Sequence, residues 1–243
     1  LQGNSKEIEK GSGTGGSRST PVGGSALKVA AEKLLNDSKI IISNKFGIDE
    51  NSIIYKKGVF QLGDKKISLG EISNLRPNNE ELFEVKGSWT PQQGTFTYPN
   101  GTHLCELEVS KETGKVKILS YIVVDDFGKV INPLLLEGQV HGGIVQGIGQ
   151  ALYEETMYDE NGQLLSGSLM DYAIPRASDV PNFKFHYNEI FCRTNLLGVK
   201  GAGEAGAIGA PPAVINALCN ALEVLHIDMP AKPEKLWKII NSN

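Results

Sequence analysis

Thr102-His103-Leu104-Cys105-Glu106-Leu107-Glu108-Val109-Ser110 alternates strictly, with Leu104, Glu106 and Glu108 on one side and Cys105, Leu107 and Val109 on the other. A period of two over this length predicts a strand. Lys111-Glu112-Thr113-Gly114 supplies a turn, and residues 115–124 alternate again through Val116, Ile118, Ile122 and Val124. Together they predict an antiparallel hairpin. Asp125-Asp126-Phe127-Gly128 closes it, and Ile131-Asn132-Pro133 leads into a helix predicted over about residues 135–155. Paired strands mixed with helices set the class as α+β.

Reading outward, residues 26–45 form an upstream helical run that ends at Phe46-Gly47. Strands are expected at 52–56, Val59–Leu62, 66–69 and 82–89, with a short helix at 70–75. Downstream come a strand at 183–191, a helix at 212–225 with proline inside its start, and a terminal helix at 234–240. No internal repeat is present.

The 243 residues are 40% hydrophobic and 21% charged, enough for a sizeable core. Net charge is −4 and the charges are scattered, without the basic stripe that nucleic acid requires. No apolar run reaches the ~20 residues of a membrane span. Residues 1–16 are polar and glycine-rich, unlike a secretory leader. Cys105, Cys192 and Cys219 are far apart and odd in number, which points to reduced thiols in a cytoplasmic protein. His103, His141, His186 and His226 are equally dispersed, so neither type forms a metal-ligand cluster. The first methionine is Met157, so the chain is expected to be a piece of a larger subunit.

Glycine is the outlier. Sixteen of the 28 glycines fall in three patches, within residues 11–24, 138–149 and 198–209. The first, Gly11-Ser12-Gly13-Thr14-Gly15-Gly16-Ser17-Arg18-Ser19-Thr20, suits either a flexible linker or an anion-binding nest of N–H groups and hydroxyls. In the second, Gln139, Gly142-Gly143, Gln146-Gly147 and Gln150 share one helical face. Interior helical glycine costs ~1 kcal/mol against alanine. That face therefore serves either tight helix packing or a flat heteroaromatic ligand read by glutamine amides. The third places one carboxylate, Glu204, among five glycines: Gly198-Val199-Lys200-Gly201-Ala202-Gly203-Glu204-Ala205-Gly206-Ala207-Ile208-Gly209. A carboxylate so held is either a positioned general base or a solvated turn residue. Gly201 to Gly206 also fits the G-x-G-x-x-G pattern of dinucleotide folds, but only 37 residues follow and no second strand is evident.

Taken together and in order, these patches resemble the molybdenum hydroxylases, the family of xanthine dehydrogenase, aldehyde oxidases and aerobic carbon monoxide dehydrogenase. The resemblance rests on Glu137-Gly138-Gln139-Val140-His141-Gly142-Gly143-Ile144-Val145-Gln146-Gly147-Ile148-Gly149-Gln150-Ala151-Leu152, on Val199 to Gly209, on Gly13 to Thr20, and on Asp126-x-Gly128-x-x-Ile131-Asn132-Pro133. It implies that residues 1–243 are one C-terminal portion of a molybdopterin-binding domain of a large subunit, an α+β fold of mixed sheets with packed helices. The implied cofactor is molybdopterin, in its cytosine dinucleotide form, carrying molybdenum that takes no direct protein ligand. Gly13, Thr14, Gly15, Ser17 and Ser19 would line its phosphate or nucleotide end. Gln139 would contact the pterin, Gly203 would also contact the cofactor, and Glu204 would lie beside the metal. Glu204 would act as general base in a hydroxylation that draws oxygen from water. The substrate would be an aldehyde, an N-heterocycle or carbon monoxide, and the electrons would leave through iron–sulfur clusters to FAD on partner domains or subunits. The missing N-terminal part of the subunit would be needed for turnover. A cofactor-binding or assembly module without turnover, and a nicotinamide-dependent dehydrogenase, are the alternatives.

Overall fold

A computed structural model describes residues 4–7, 13–75, 84–92 and 96–242. The chain divides into two compact units, one formed by residues up to Ser19 with Phe96–Arg193 and Gly198 onward, the other by Thr20–Thr95 with Thr194–Leu197.

In the second unit, helix α1 (Ser25–Phe46) stops at Gly47, whose left-handed backbone (φ 65°) lets its N–H reach Ser43 O at 2.8 Å. Strands β1 (Ile54–Lys56), β2 (Val59–Leu62) and β3 (Lys65–Ser68) pair antiparallel in that order, and β3 runs into a single-turn helix, α2 (Leu69–Ile72). Ile42, Ile53, Phe60, Leu62, Ile67 and Ile72 make its core. The strand expected at 82–89 does not form over its described part, 84–89, and residues 82 and 83 lie outside the described residues. Instead Gly87 lies against α1, where a Cβ would come within 2.5 Å of Ala26 O and Ala30 N. Close packing on a helix has overridden strand propensity.

In the first unit the expected hairpin is present as β4 (Asn100–Val109) and β5 (Val116–Asp126), with β6 (Lys184–Asn188) added parallel to β5. Cys105, Leu107 and Val109 face the core as read, and Leu104 is exposed. The second strand departs from its predicted phase. The register slips between Glu106, opposite Ser120, and Leu107, opposite Ile118, so Leu119 is an extra residue. A bulge of this kind reverses which side chains face inward beyond it. Ile118 is buried as expected, but past the bulge Tyr121 and Val123 point inward and Ile122 and Val124 turn away. Asp125 follows Tyr121 and Val123 onto the buried face and is 4% exposed.

Helix α3 (Pro133–Leu152) starts with Pro133 behind the cap Asn132, whose Oδ1 accepts Leu135 N–H at 3.2 Å. Helix α4 (Ala205–Leu222) begins well before the predicted residue 212, directly after Glu204, so Pro211 and Pro212 lie in its interior. A turn is one of two readings open for the Gly-Ala run in the sequence, and the predicted helix begins only at residue 212. The run is helical because its small residues permit close approach: a Cβ on Gly206 would stand 2.4 Å from Val140 O of α3. Val140, Ile144 and Ile148 of α3 and Val214 and Leu218 of α4 pack with Tyr121 and Val123 into the core. Among the described helices α4 is the one long and apolar enough to cross a membrane, and here it packs on α3 and β4. Helix α5 (Pro233–Ser242) closes the chain, its Leu236 in the same core.

Candidate functional site

The site forms within the first unit, where residues 13–19, helix α3 and residues 198–209 meet. Val199 bridges to Gly128, Lys129 N–H reaches Gly198 O at 2.8 Å, and Lys200 N–H reaches Phe127 O at 2.7 Å. The loop that leads to Glu204 is thus pinned to the turn that leads to α3. Asp126 ties both together. Its Oδ1 accepts Gly128 N–H at 2.8 Å and Ile190 N–H at 3.1 Å, and its Oδ2 accepts the Lys200 ammonium. Burial alone would push the Asp126 carboxyl up, but the Lys200 hydrogen bond and the two backbone donors prevail and hold it below the usual carboxylate range.

Glu204 sits at the junction of this loop with α4. Ser17 holds it twice: its hydroxyl donates to Glu204 Oε2 at 2.6 Å and accepts Glu204 N–H at 3.0 Å. Ser17 has a left-handed backbone (φ 53°), rare for serine. Gly201 makes room for it, since a Cβ there would lie 1.9 Å from Ser17 O. The Gln139 amide donates to Gly203 O at 2.9 Å, next to the carboxylate. The predicted residues Ser17, Gln139, Gly203 and Glu204 therefore converge. Gly13, Thr14, Gly15 and Ser19 lie on the same segment as Ser17 and are exposed, with the Thr14 and Ser19 hydroxyls bonded to each other. Gly13 and Gly16 have positive φ, and Cβ atoms on Gly13, Gly15 or Gly16 would meet nothing within 4 Å. This is an accessible run of N–H and O–H groups.

The glutamine face of α3 divides in two. Gly143 and Gly147 serve packing, because Cβ atoms there would stand 2.9 Å from Ala207 N and 2.7 Å from Ala210 Cβ of α4. Gln139, Gly142, Gln146 and Gln150 are exposed. Lys200 is engaged with Asp126.

A cavity of about 340 Å³ opens beside Glu204 and Ser17. Two of its lining residues, His103 and Asp125, were not singled out as site residues in the sequence. Asp125 is there because of the β5 bulge, and β4 pairing sets Gly101 opposite it. His103 Nδ1 pairs with the Tyr121 hydroxyl at 2.7 Å, and Nε2 lies 3.7 Å from Asp125 Oδ2. Burial pushes the Tyr121 phenol well above its usual range, with Cys105 and Asp125 adding to the effect. Burial likewise pushes the Cys105 thiol up to about 11. No strand leads into Gly201, and α4 is followed by no strand among the described residues, so a dinucleotide βαβ unit is not built here.

The profile of the molybdopterin cofactor-binding domain matches residues 1–181. The chain is 32% identical to the carbon monoxide dehydrogenase large chain of Afipia carboxidovorans, over 98% of this chain and 30% of that one. It is 34% identical to the nicotine 6-hydroxylase large subunit of Paenarthrobacter nicotinovorans, over 93% of this chain and 29% of the relative. A crystal structure of the Cu,Mo-CO dehydrogenase in its carbon monoxide reduced state superposes with a TM-score of 0.86 at 32% identity, covering 99% of this chain and 31% of that one. Quinoline 2-oxidoreductase from Pseudomonas putida 86 gives 0.80 at 29% identity, covering 95% and 31%. The chain thus spans about three-tenths of the length of these relatives.

Proposed function

From the premise that this chain belongs to the molybdopterin cofactor-binding family of molybdenum hydroxylase large subunits, we propose that it is the C-terminal part of such a catalytic subunit, with Glu204 as its general base. The carrying observation is that Ser17 clamps Glu204 beside a cavity that both residues line, while Gln139 anchors the adjacent Gly203.

The residues present fit the cofactor. An exposed glycine run with open space over its backbone, plus the hydroxyls of Thr14 and Ser19, suits phosphate oxygens, while Ser17 is the residue of that segment that clamps Glu204. Gln139 uses one amide hydrogen on Gly203 O and keeps its carbonyl oxygen and second hydrogen for a pterin edge. When bound, the molybdenum cofactor supplies two-electron oxidation with water as the oxygen source. Ser17 occupies Glu204 Oε2, so Oε1 is the atom assigned to take the proton. The Gly203 anchor and the Ser17 bonds keep that oxygen in one place, which is what base catalysis requires.

The substrate is an aldehyde, an N-heterocycle or carbon monoxide. Iron–sulfur and FAD domains or subunits would be the partners that take up the two electrons. The cofactor is taken to be the cytosine dinucleotide form. Turnover needs the remainder of the large subunit, and three cysteines outside any disulfide fit a cytoplasmic location. Metal and pterin analysis of the complete native enzyme tests this reading. The expected result is one molybdenum and one pterin per large subunit. Trace molybdenum without pterin fluorescence would overturn it and leave an assembly module as the alternative.

A further inference from the structure

The proposed base reaction uses Glu204 and leaves the cavity's second carboxylate without a task. Asp125 is 4% exposed, and its Oδ2 has no hydrogen-bond partner among the described residues. His103 Nε2, at 3.7 Å, is beyond hydrogen-bond reach of it. Nor can the imidazole readily swing closer. Its other nitrogen is held by Tyr121, and its ring is pressed under Gly209, where a Cβ would come within 2.6 Å of it. Gly101, opposite Asp125, has no room for a side chain, because a Cβ there would fall 1.8 Å from Asp125 Oδ1. A buried carboxylate oxygen with a fixed histidine beside it and glycine across from it is an acceptor that demands a donor.

The lining narrows what that donor can be. Asp125 and Glu204 both line the cavity, and among the described residues no lysine or arginine does, so a phosphate would be repelled from it. A volume of about 340 Å³ is at the lower end for small-molecule sites and suits one ring system. We propose that Asp125, with His103 beside it, accepts a hydrogen bond from the N–H edge of a planar nitrogen heterocycle bound in the Glu204 cavity. Two sources carry that edge: the heterocyclic end of the cofactor and an N-heterocyclic substrate. Carbon monoxide and simple aldehydes carry no N–H. The inference rests on the reading of this cavity as part of a molybdopterin enzyme.

The test uses the complete enzyme and its Asp125→Ala variant. Molybdenum, pterin and released nucleotide are measured per subunit, and hypoxanthine and benzaldehyde are titrated by calorimetry. A hydrogen bond to a buried charge predicts an effect of about 10- to 100-fold. If the cofactor supplies the edge, the variant loses nucleotide or pterin on gel filtration. If the substrate supplies it, cofactor content holds, hypoxanthine binding weakens by that factor and benzaldehyde binding does not change. Should Asp125→Ala fail to fold, Asp125→Asn, which keeps an acceptor oxygen and removes the charge, carries the same readouts with an effect of about tenfold. Unchanged cofactor content with unchanged binding of both probes, including no binding of either, overturns the inference. Wild-type enzyme without molybdenum would instead sink the proposed function.

Discussion

The glycines of the α3–α4 seam and those of the N-terminal segment are the same residue doing opposite jobs. At Gly143, Gly147 and Gly206 a Cβ would stand between 2.4 and 2.9 Å from the partner helix. At Gly13, Gly15 and Gly16 it would meet nothing within 4 Å. The seam is held by packing. The open segment and the Glu204 loop are held by polar clamps, through Ser17 on Glu204 and Lys200 on Asp126. Glycine density by itself cannot separate the two roles, since both require a missing side chain. What separates them is whether protein or open space lies over the backbone.

The largest expected effect is at the polar clamp. Lys200→Met leaves Asp126 buried without its cation, a loss of about 3–5 kcal/mol for breaking a buried pair. Hydrogen exchange of the Val199 and Gly128 segments should read this as local opening. The Asp126 pKa is depressed in the folded state, so the pair's contribution is complete above the unfolded aspartate pKa of about 3.9 and is lost as pH falls through the lower folded value. The gap between wild type and variant is therefore constant at neutral pH and closes below about pH 4. A gap that is unchanged in acid would show that charge is not the cause.

Next comes the seam. Gly206→Ala forces a methyl toward Val140 O and should destabilise α3 and α4 by about 1–3 kcal/mol, the usual range for overpacking. Faster exchange should be confined to those helices. An unaltered α3 would mean that the seam has slack.

The smallest stability effect is at Gly15, which has no positive φ and no neighbour to strike. Gly15→Ala should leave unfolding within about 0.5 kcal/mol of wild type, yet lower the cofactor content of the complete enzyme. Full cofactor content in that variant would remove Gly15 from the binding segment.

Much of this architecture could be read from the chain. Hairpin β4–β5 emerged from its alternation, and Glu204 from its isolation among glycines. Gln139 emerged from the wheel of α3, although its face proved to be two, because helical periodicity places residues by angle and does not say which partner each angle meets. The start of α4 was hidden by the same ambiguity, because glycines as dense as Gly206 and Gly209 suit a turn as well as the close contacts they make with Val140 and His103. Asp125 was beyond reach for another reason. One extra residue at Leu119 reversed the inward phase of β5, and a bulge is set by pairing with β4, which no local pattern announces.

Glu204 is proposed to take a proton during turnover, at a site positioned by Ser17 and the Gly203 anchor. Replacing it with glutamine keeps the shape and the Ser17 contact while removing the basic oxygen. In the complete enzyme, Glu204→Gln should retain full molybdenum and pterin and lose about 10²- to 10⁴-fold in kcat. Retained cofactor with undiminished turnover would rule out Glu204 as the base.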